Sequence, residues 1–353
     1  MKRMLLLLLC LPLFSSCSFV TLERQIYPIC MSIDETEDGR YLIGIQAPRA
    51  STSQTASYEI LTATDHTFEE ALRTLSASTP YPLNFSQIRL CLVGYPLAST
   101  TQLRPLLRTV LELPSMRPDC YVTIAMGSAL KVMQMQKPDF GMRLSTHLSL
   151  MLDRMKTENL LPDSTLDACV RELGDGRSDP VIGLCGVNPR LVPEEKEAQK
   201  ENERSAPAFA LGEPWSDAIL PEGILSGLAP HTSQNPVEYL GAAAVSNGRV
   251  SGMLTADQVQ LLLRLPKEAK MKVSLKANQL QIHLKKKSPL ADDPDAVYEL
   301  VKTLQAMNCD ALLFGCIAST AFGTEKEWDA YDFDSRYAKM EGWVGVGLTR
   351  VYE

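Results

Sequence analysis

The feature that most constrains this chain is its first seventeen residues, because they are not built to be part of a fold. Lys2 and Arg3 precede Met4–Phe14, an apolar run broken only by Pro12. At about 11 residues the run is shorter than the roughly 20 that an α-helix needs to cross a bilayer. Its length and cationic flank are those of a secretory signal segment. Leu13-Phe14-Ser15-Ser16-Cys17 follows. Small residues before a cysteine resemble a bacterial lipobox, at which cleavage leaves Cys17 as the new first residue with a diacylglycerol on its thiol. Phe14 stands where such boxes usually carry Leu. The other reading is an ordinary signal peptide with Cys17 free or disulfide-bonded. Two or three acyl chains anchor a protein stably, since each buried CH₂ contributes about 0.8 kcal/mol. No later apolar run approaches spanning length, so the expected mature protein is a folded body tethered at Cys17.

Loss of residues 1–16 takes the formal charge from −7 to −9 and leaves 337 of 353 residues. An acidic body is a poor binder of nucleic acid, whose affinity rests on clustered Lys and Arg. Ordinary composition, 45% hydrophobic and 22% charged, excludes disordered and collagen-like chains.

Strand and helix signals alternate from the start of the mature chain. Ile26–Ile33 and Tyr41–Gln46 flank Asp38-Gly39, a hairpin signal. Ala47–Thr62 has no clear pattern. Thr67 and Glu70 fit a capping box, and Phe68, Ala71, Leu72 and Leu75 then share a helix face up to Pro80 and Pro82. Strands are expected at Ile88–Val93, Tyr121–Met126 and Val181–Val187. Helices are expected around Leu103–Leu111, after Ser128 and through Thr146–Asn159. Residues 191–235 are charged and then proline-rich, which reads as a linker. Beyond it, Leu240–Val245 and Val250–Leu254 flank Ser246-Asn247-Gly248. Thr255 caps a helix ending before Pro266. Met271–Leu284 gives two strands or one long bent pair. Ala296–Met307 gives a helix, and Ala311–Ile317 and Trp343–Tyr352 give strands. The expected fold class is α/β with mixed α+β character: multi-domain, with mixed sheets packed against helices. Its divisions are 1–16 signal peptide, 17–190 N-terminal α/β domain, 191–235 linker and 236–353 C-terminal α/β region, as one unit or two small subdomains.

The chemistry-bearing residues form no recognisable set. His66, His147, His231 and His283 share no metal-ligand spacing and read as surface or loop residues. Gly174-Asp175-Gly176 reads as a turn. Asp292, Asp293 and Asp295 precede the helix at Ala296 and read as capping acids rather than a calcium loop. Lys285-Lys286-Lys287 reads as a solvated edge, with anionic lipid as the lesser alternative. Seven cysteines remain beyond Cys17, an odd number that leaves at least one without an intrachain partner, and they read mainly as small buried hydrophobes. No nucleophile–base pair, metal set, P-loop or cofactor signature is present, so no catalytic residue is nominated and no metal or cofactor is expected.

Six stretches, in order, resemble the Ger(x)C lipoproteins, the C subunits of spore germinant receptors. They are Cys17 and Glu23; Ile29–Asp34 with Asp38-Gly39-Arg40-Tyr41; the helix Glu70-Ala71-Leu72-Arg73-Thr74-Leu75-Ser76-Ala77-Ser78-Thr79-Pro80; the strand Ile88–Gly94; Arg117-Pro118-Asp119-Cys120-Tyr121-Val122-Thr123-Ile124-Ala125-Met126-Gly127-Ser128-Ala129; and Gly241–Leu254. Asp310–Gly315 resembles a late strand of the same family. Ser18-Phe19 replaces the family's Trp-Asp, Gln87 replaces a His, and the C-terminal region is shorter. The resemblance implies a non-catalytic, lipid-anchored C subunit at the extracytoplasmic face of the spore inner membrane, assembled with the receptor's A and B membrane subunits. The alternative is a solute-binding lipoprotein of a transporter. Such proteins have two similar lobes, and no internal repeat is visible here. A membrane-anchored hydrolase ranks last.

Overall fold

The computed structural model describes residues 24–48, 58–138, 141–175, 179–188, 235–268, 271–276, 279–284, several positions between 296 and 309, and 351–352. Cys17, positions 191–234 of the expected linker at 191–235, Lys285–Lys287, Asp292–Asp295, His231, the expected strand at Ala311–Ile317 and positions 343–350 of the expected last strand lie outside the described residues.

Eight strands form one mixed sheet in the order β3-β2-β1-β4-β5-β6-β7-β8. In chain order these are β1 (Cys30–Glu35), β2 (Tyr41–Pro48), β3 (Tyr58–Asp65), β4 (Leu90–Gly94), β5 (Tyr121–Ala125), β6 (Val181–Val187), β7 (Val237–Ser246) and β8 (Arg249–Leu254). The centre, β1, β4, β5 and β6, is parallel, and antiparallel hairpins extend both sides. Seven described helices accompany the strands: α1 (Phe68–Ala77), α2 (Tyr95–Ala98), α3 (Leu103–Leu111), α4 (Ala129–Met135), α5 (Leu144–Thr157), α6 (Leu166–Asp175) and α7 (Ala256–Glu268). The fold is mixed α+β, as expected.

Strands β4 and β6 read as unbroken apolar runs, and β1 ahead of Asp34 and β5 as apolar runs holding one buried hydroxyl each, Ser32 and Thr123, because both sheet faces are covered. Successive side chains divide between two cores. Met31, Ile33, Cys91, Val93, Val122, Ile124, Ile182 and Leu184 pack with α1, α2, α3 and α6. Cys30, Leu90, Leu92, Tyr121, Cys185 and Val187 face the other way and pack with α4 and α5. Gly44 lets α4 close on β2, since a Cβ there would stand 2.9 Å from Leu130 Cδ1 and 2.9 Å from Met133 Cε.

The local signals act as their chemistry requires. Gly39 takes φ +76° in the first hairpin, and Asn247 and Gly248 take φ 53° and 75° in the last. Positive φ at two successive residues suits the twist of a tight hairpin. Thr67 caps α1, its hydroxyl accepting from Glu70 N–H at 3.2 Å. Before α7, Thr255 and Gln258 close a reciprocal box: Gln258 N–H donates to Thr255 Oγ1 at 3.3 Å, and Thr255 N–H donates to Gln258 Oε1 at 3.0 Å.

Several expectations change. β3 lies in the patternless segment after Ala47, extending past Thr62 to Asp65. Helix α6 occupies Leu166–Asp175, so Gly174 and Asp175 end a helix rather than form a turn. Helix α7 runs past Pro266 to Glu268. His147 is buried on α5, and His283 lies within a strand. The hairpin β7–β8, which follows the expected linker, is part of the first sheet: β7 pairs directly with β6. Met271–Lys276 (β9) and Gln279–Leu284 (β10) form an antiparallel pair, joined by Val351–Tyr352 (β11) in a three-stranded sheet. Of the expected helix at 296–307, positions 296, 299, 300, 303, 304 and 306 are helical. No helix among the described residues is long and apolar enough to cross a membrane.

Candidate functional site

Three of the stretches that carry the family resemblance meet at the C-terminal end of the parallel strands. Asp34 lies in β1, Gly94 ends β4, and Gly127-Ser128-Ala129 leads from β5 into α4. The Asp34 carboxylate takes over the capping of α4. Its Oδ1 accepts from Ala129 N–H at 2.7 Å, and its Oδ2 accepts from Leu130 N–H at 2.8 Å and from the Ser128 hydroxyl at 3.1 Å. The first N–H groups of a helix have no partner within it, and an acceptor there is electrostatically favoured. Ser128 completes the cap by accepting from Lys131 N–H at 3.3 Å.

Two glycines make room for this contact. A Cβ on Gly94 would collide with Asp34 Oδ1 and stand 3.1 Å from the Gly127 carbonyl oxygen. Gly127 turns the chain at φ +69°, and its carbonyl accepts from Tyr95 N–H at 3.2 Å. Burial pushes the Asp34 carboxyl above its ordinary range, and the hydrogen bonds from Leu130, Ala129 and Ser128 pull it part of the way back. With both oxygens engaged by donors, this carboxylate locks β1, β4 and α4 together.

At the other end of the parallel strands the chain enters the fold. Ile26 bridges Leu83: Ile26 N–H donates to Pro82 O at 3.0 Å, and Asn84 N–H donates to Ile26 O at 2.8 Å. A polar depression lined by Tyr27, Asn84, Ser86 and Gln87 opens here. The Tyr27 hydroxyl is buried beside it without a hydrogen-bond partner. Gln87, the position at which the family resemblance departs from a His, is exposed in this rim.

The thiols are held in the cores. Cys30, Cys91, Cys120, Cys169 and Cys185 are free and buried. Burial pushes all five upward, Cys185 to about 12. A thiol that stays protonated at neutral pH is a poor nucleophile and metal ligand. Among the described residues, no group of three or more His, Cys, Asp or Glu is placed to hold a metal. Cys17, the one site residue expected from the sequence, lies outside the described residues. The Asp34 clasp had a sequence signal, the aspartate closing an apolar strand. Its partner on α4 lies nearly a hundred residues away.

Residues 19–187 match the family described as the spore germination protein N-terminal domain. No curated protein and no solved structure matches the chain. The matched span runs from just beyond Cys17 through β6, and so takes in the parallel strands, both ends just described and the Asp34 clasp. This match, over 169 of the chain's 353 residues, supports a GerC-like member of the spore germination proteins.

Proposed function

We propose that this spore germination protein is the C subunit of a nutrient germinant receptor. It is a non-catalytic component, anchored by acyl chains on Cys17 at the extracytoplasmic face of the spore inner membrane and docked on the receptor's A and B membrane subunits. The observation that carries the reading is the family match at 19–187, which begins two residues beyond the lipobox-like cysteine. A structural role is supported by how the buried polar chemistry is used: the Asp34 carboxylate is taken up by three donors, and the thiols are enclosed.

Anchoring is tested in cells that make the full chain without the A and B subunits. Wild type is expected to sediment with membranes, and the Cys17→Ala variant to remain in the supernatant. Equal sedimentation of the two proteins overturns the anchor.

A further inference from the structure

Tyr81 and Leu150 are the exposed large hydrophobic side chains among the described residues, at 44% and 58% exposure. Tyr81 differs in its position. It stands between Pro80 and Pro82, neither of which has an N–H to leave unsatisfied. The carbonyl of Tyr81 accepts from the Thr79 hydroxyl at 2.9 Å, and that of Pro82 accepts from Ile26 N–H at 3.0 Å. The tip of this loop therefore presents an aromatic ring with its own carbonyl and that of Pro82 already paired. This lowers the cost of moving it out of bulk water.

The same loop adjoins the point where the chain comes in from Cys17. Pro82, Leu83 and Asn84 bond or bridge to Ile26, two residues after Arg24, the first described residue. Arg24 lies seven positions after Cys17. A chain of that length spans at most about 25 Å when fully extended. If Cys17 carries lipid, Tyr81 is thus on the near side of the domain. Strand β1 then runs away from this side for six residues, about 20 Å, to the turn before Tyr41. That far turn is acidic, with Glu35, Glu37 and Asp38 against Arg40. An anionic membrane surface repels such a turn. At the near end, the ring of Tyr81 and the polar rim of Tyr27, Asn84, Ser86 and Gln87 offer an apolar body beside hydrogen-bonding groups. Tyrosine favours the membrane–water interface for that same combination.

We propose that Tyr81 rests in the lipid headgroup layer, so that the domain stands with the N-terminal ends of β1 and β4 toward the bilayer and the Glu37–Asp38 turn away from it. The proposal rests on the reading of Cys17 as a lipid anchor and adds the face that the anchored domain presents to the membrane.

The test uses the full lipidated chain in vesicles of phosphatidylcholine and phosphatidylglycerol. An environment-sensitive fluorophore is attached at Tyr81→Cys or, in a second protein, at Asp38→Cys, with the unsubstituted chain labelled in parallel as background. Lipids brominated near the headgroup serve as quenchers. The proposal expects a blue-shifted emission at position 81, quenched several-fold more than at position 38. Vesicle-bound protein whose label at 81 emits as in water, or is quenched no more than the label at 38, overturns the orientation and leaves the anchor standing. Protein that does not float with the vesicles at all overturns the anchor and the orientation together.

Discussion

The Asp34 carboxylate fills the space that a side chain on Gly94 would need. The two residues lie near the C-terminal ends of adjacent parallel strands, and a Cβ at Gly94 would overlap Asp34 Oδ1. The opposite wall is also fixed, because the Gly127 carbonyl oxygen would be 3.1 Å from the same Cβ and is itself hydrogen-bonded. Gly94→Ala is therefore expected to destabilise the domain by about 3 kcal/mol, as overpacking against groups that cannot move aside. Urea unfolding measures it. An unchanged midpoint would mean that Asp34 can swing away from α4 at little cost.

Asp34→Ala removes the acceptor for Ser128, Ala129 and Leu130 while leaving their donors in place. The loss is expected to be about 2–4 kcal/mol, since stranded donors cost more than the net value of a hydrogen bond. Because the two residues touch, Gly94→Ala and Asp34→Ala should combine to less than the sum of their separate effects. Simple additivity in a double-mutant cycle contradicts the contact.

The same carboxyl gives a pH signature. Its folded-state value is raised above the ordinary 3.8, chiefly by burial. The folded protein thus holds this proton more tightly than the unfolded chain does. The stability contributed by that difference is fully present below 3.8 and is lost as pH rises through the folded-state value. Relative to Asp34→Asn, which has no proton to lose, wild type should lose stability as pH rises above about 4 and through the folded-state value. Urea midpoints of both proteins across that window check the sign. Parallel curves would contradict it.

Thiol protection is a separate expectation. Cys30, Cys91, Cys120, Cys169 and Cys185 should resist a brief iodoacetamide pulse at neutral pH in the native protein and alkylate fully in denaturant. Peptide mass spectrometry resolves each site. Native labelling of Cys185, whose thiol is pushed up to about 12, would be the clearest contradiction.

Much of this fold is legible one segment at a time. Asp38-Gly39, Asn247-Gly248, Thr67 and Thr255 announce turns and caps through short-range chemistry, and the central strands announce themselves as apolar runs. What local pattern misses has physical reasons. β3 is an edge strand with no fully buried residue, so it lacks the apolar alternation of a half-buried strand. Helix α6 carries a signal, since Leu166, Cys169, Val170 and Leu173 recur at helical spacing, but it ends in Gly174-Asp175, residues that favour turns. Pro266 sits inside α7, where the usual rule ends a helix. The addition of β7 to β6 is a pairing across about fifty residues, and nothing in either strand names its partner. The Asp34 clasp is of the same kind. Its strand and its glycines stand in the sequence, while their meeting at the start of α4 is a property of the sheet order.

The most direct test of the central claim is the company the protein keeps. The full chain, tagged at its C-terminus and expressed from its own locus, is extracted from dormant-spore inner membranes in mild detergent, purified, and its partners are identified by mass spectrometry. A C subunit is expected to bring down an A-type and a B-type membrane subunit in near-equal amounts. Recovery of the chain from the membrane fraction without either subunit would contradict the assignment.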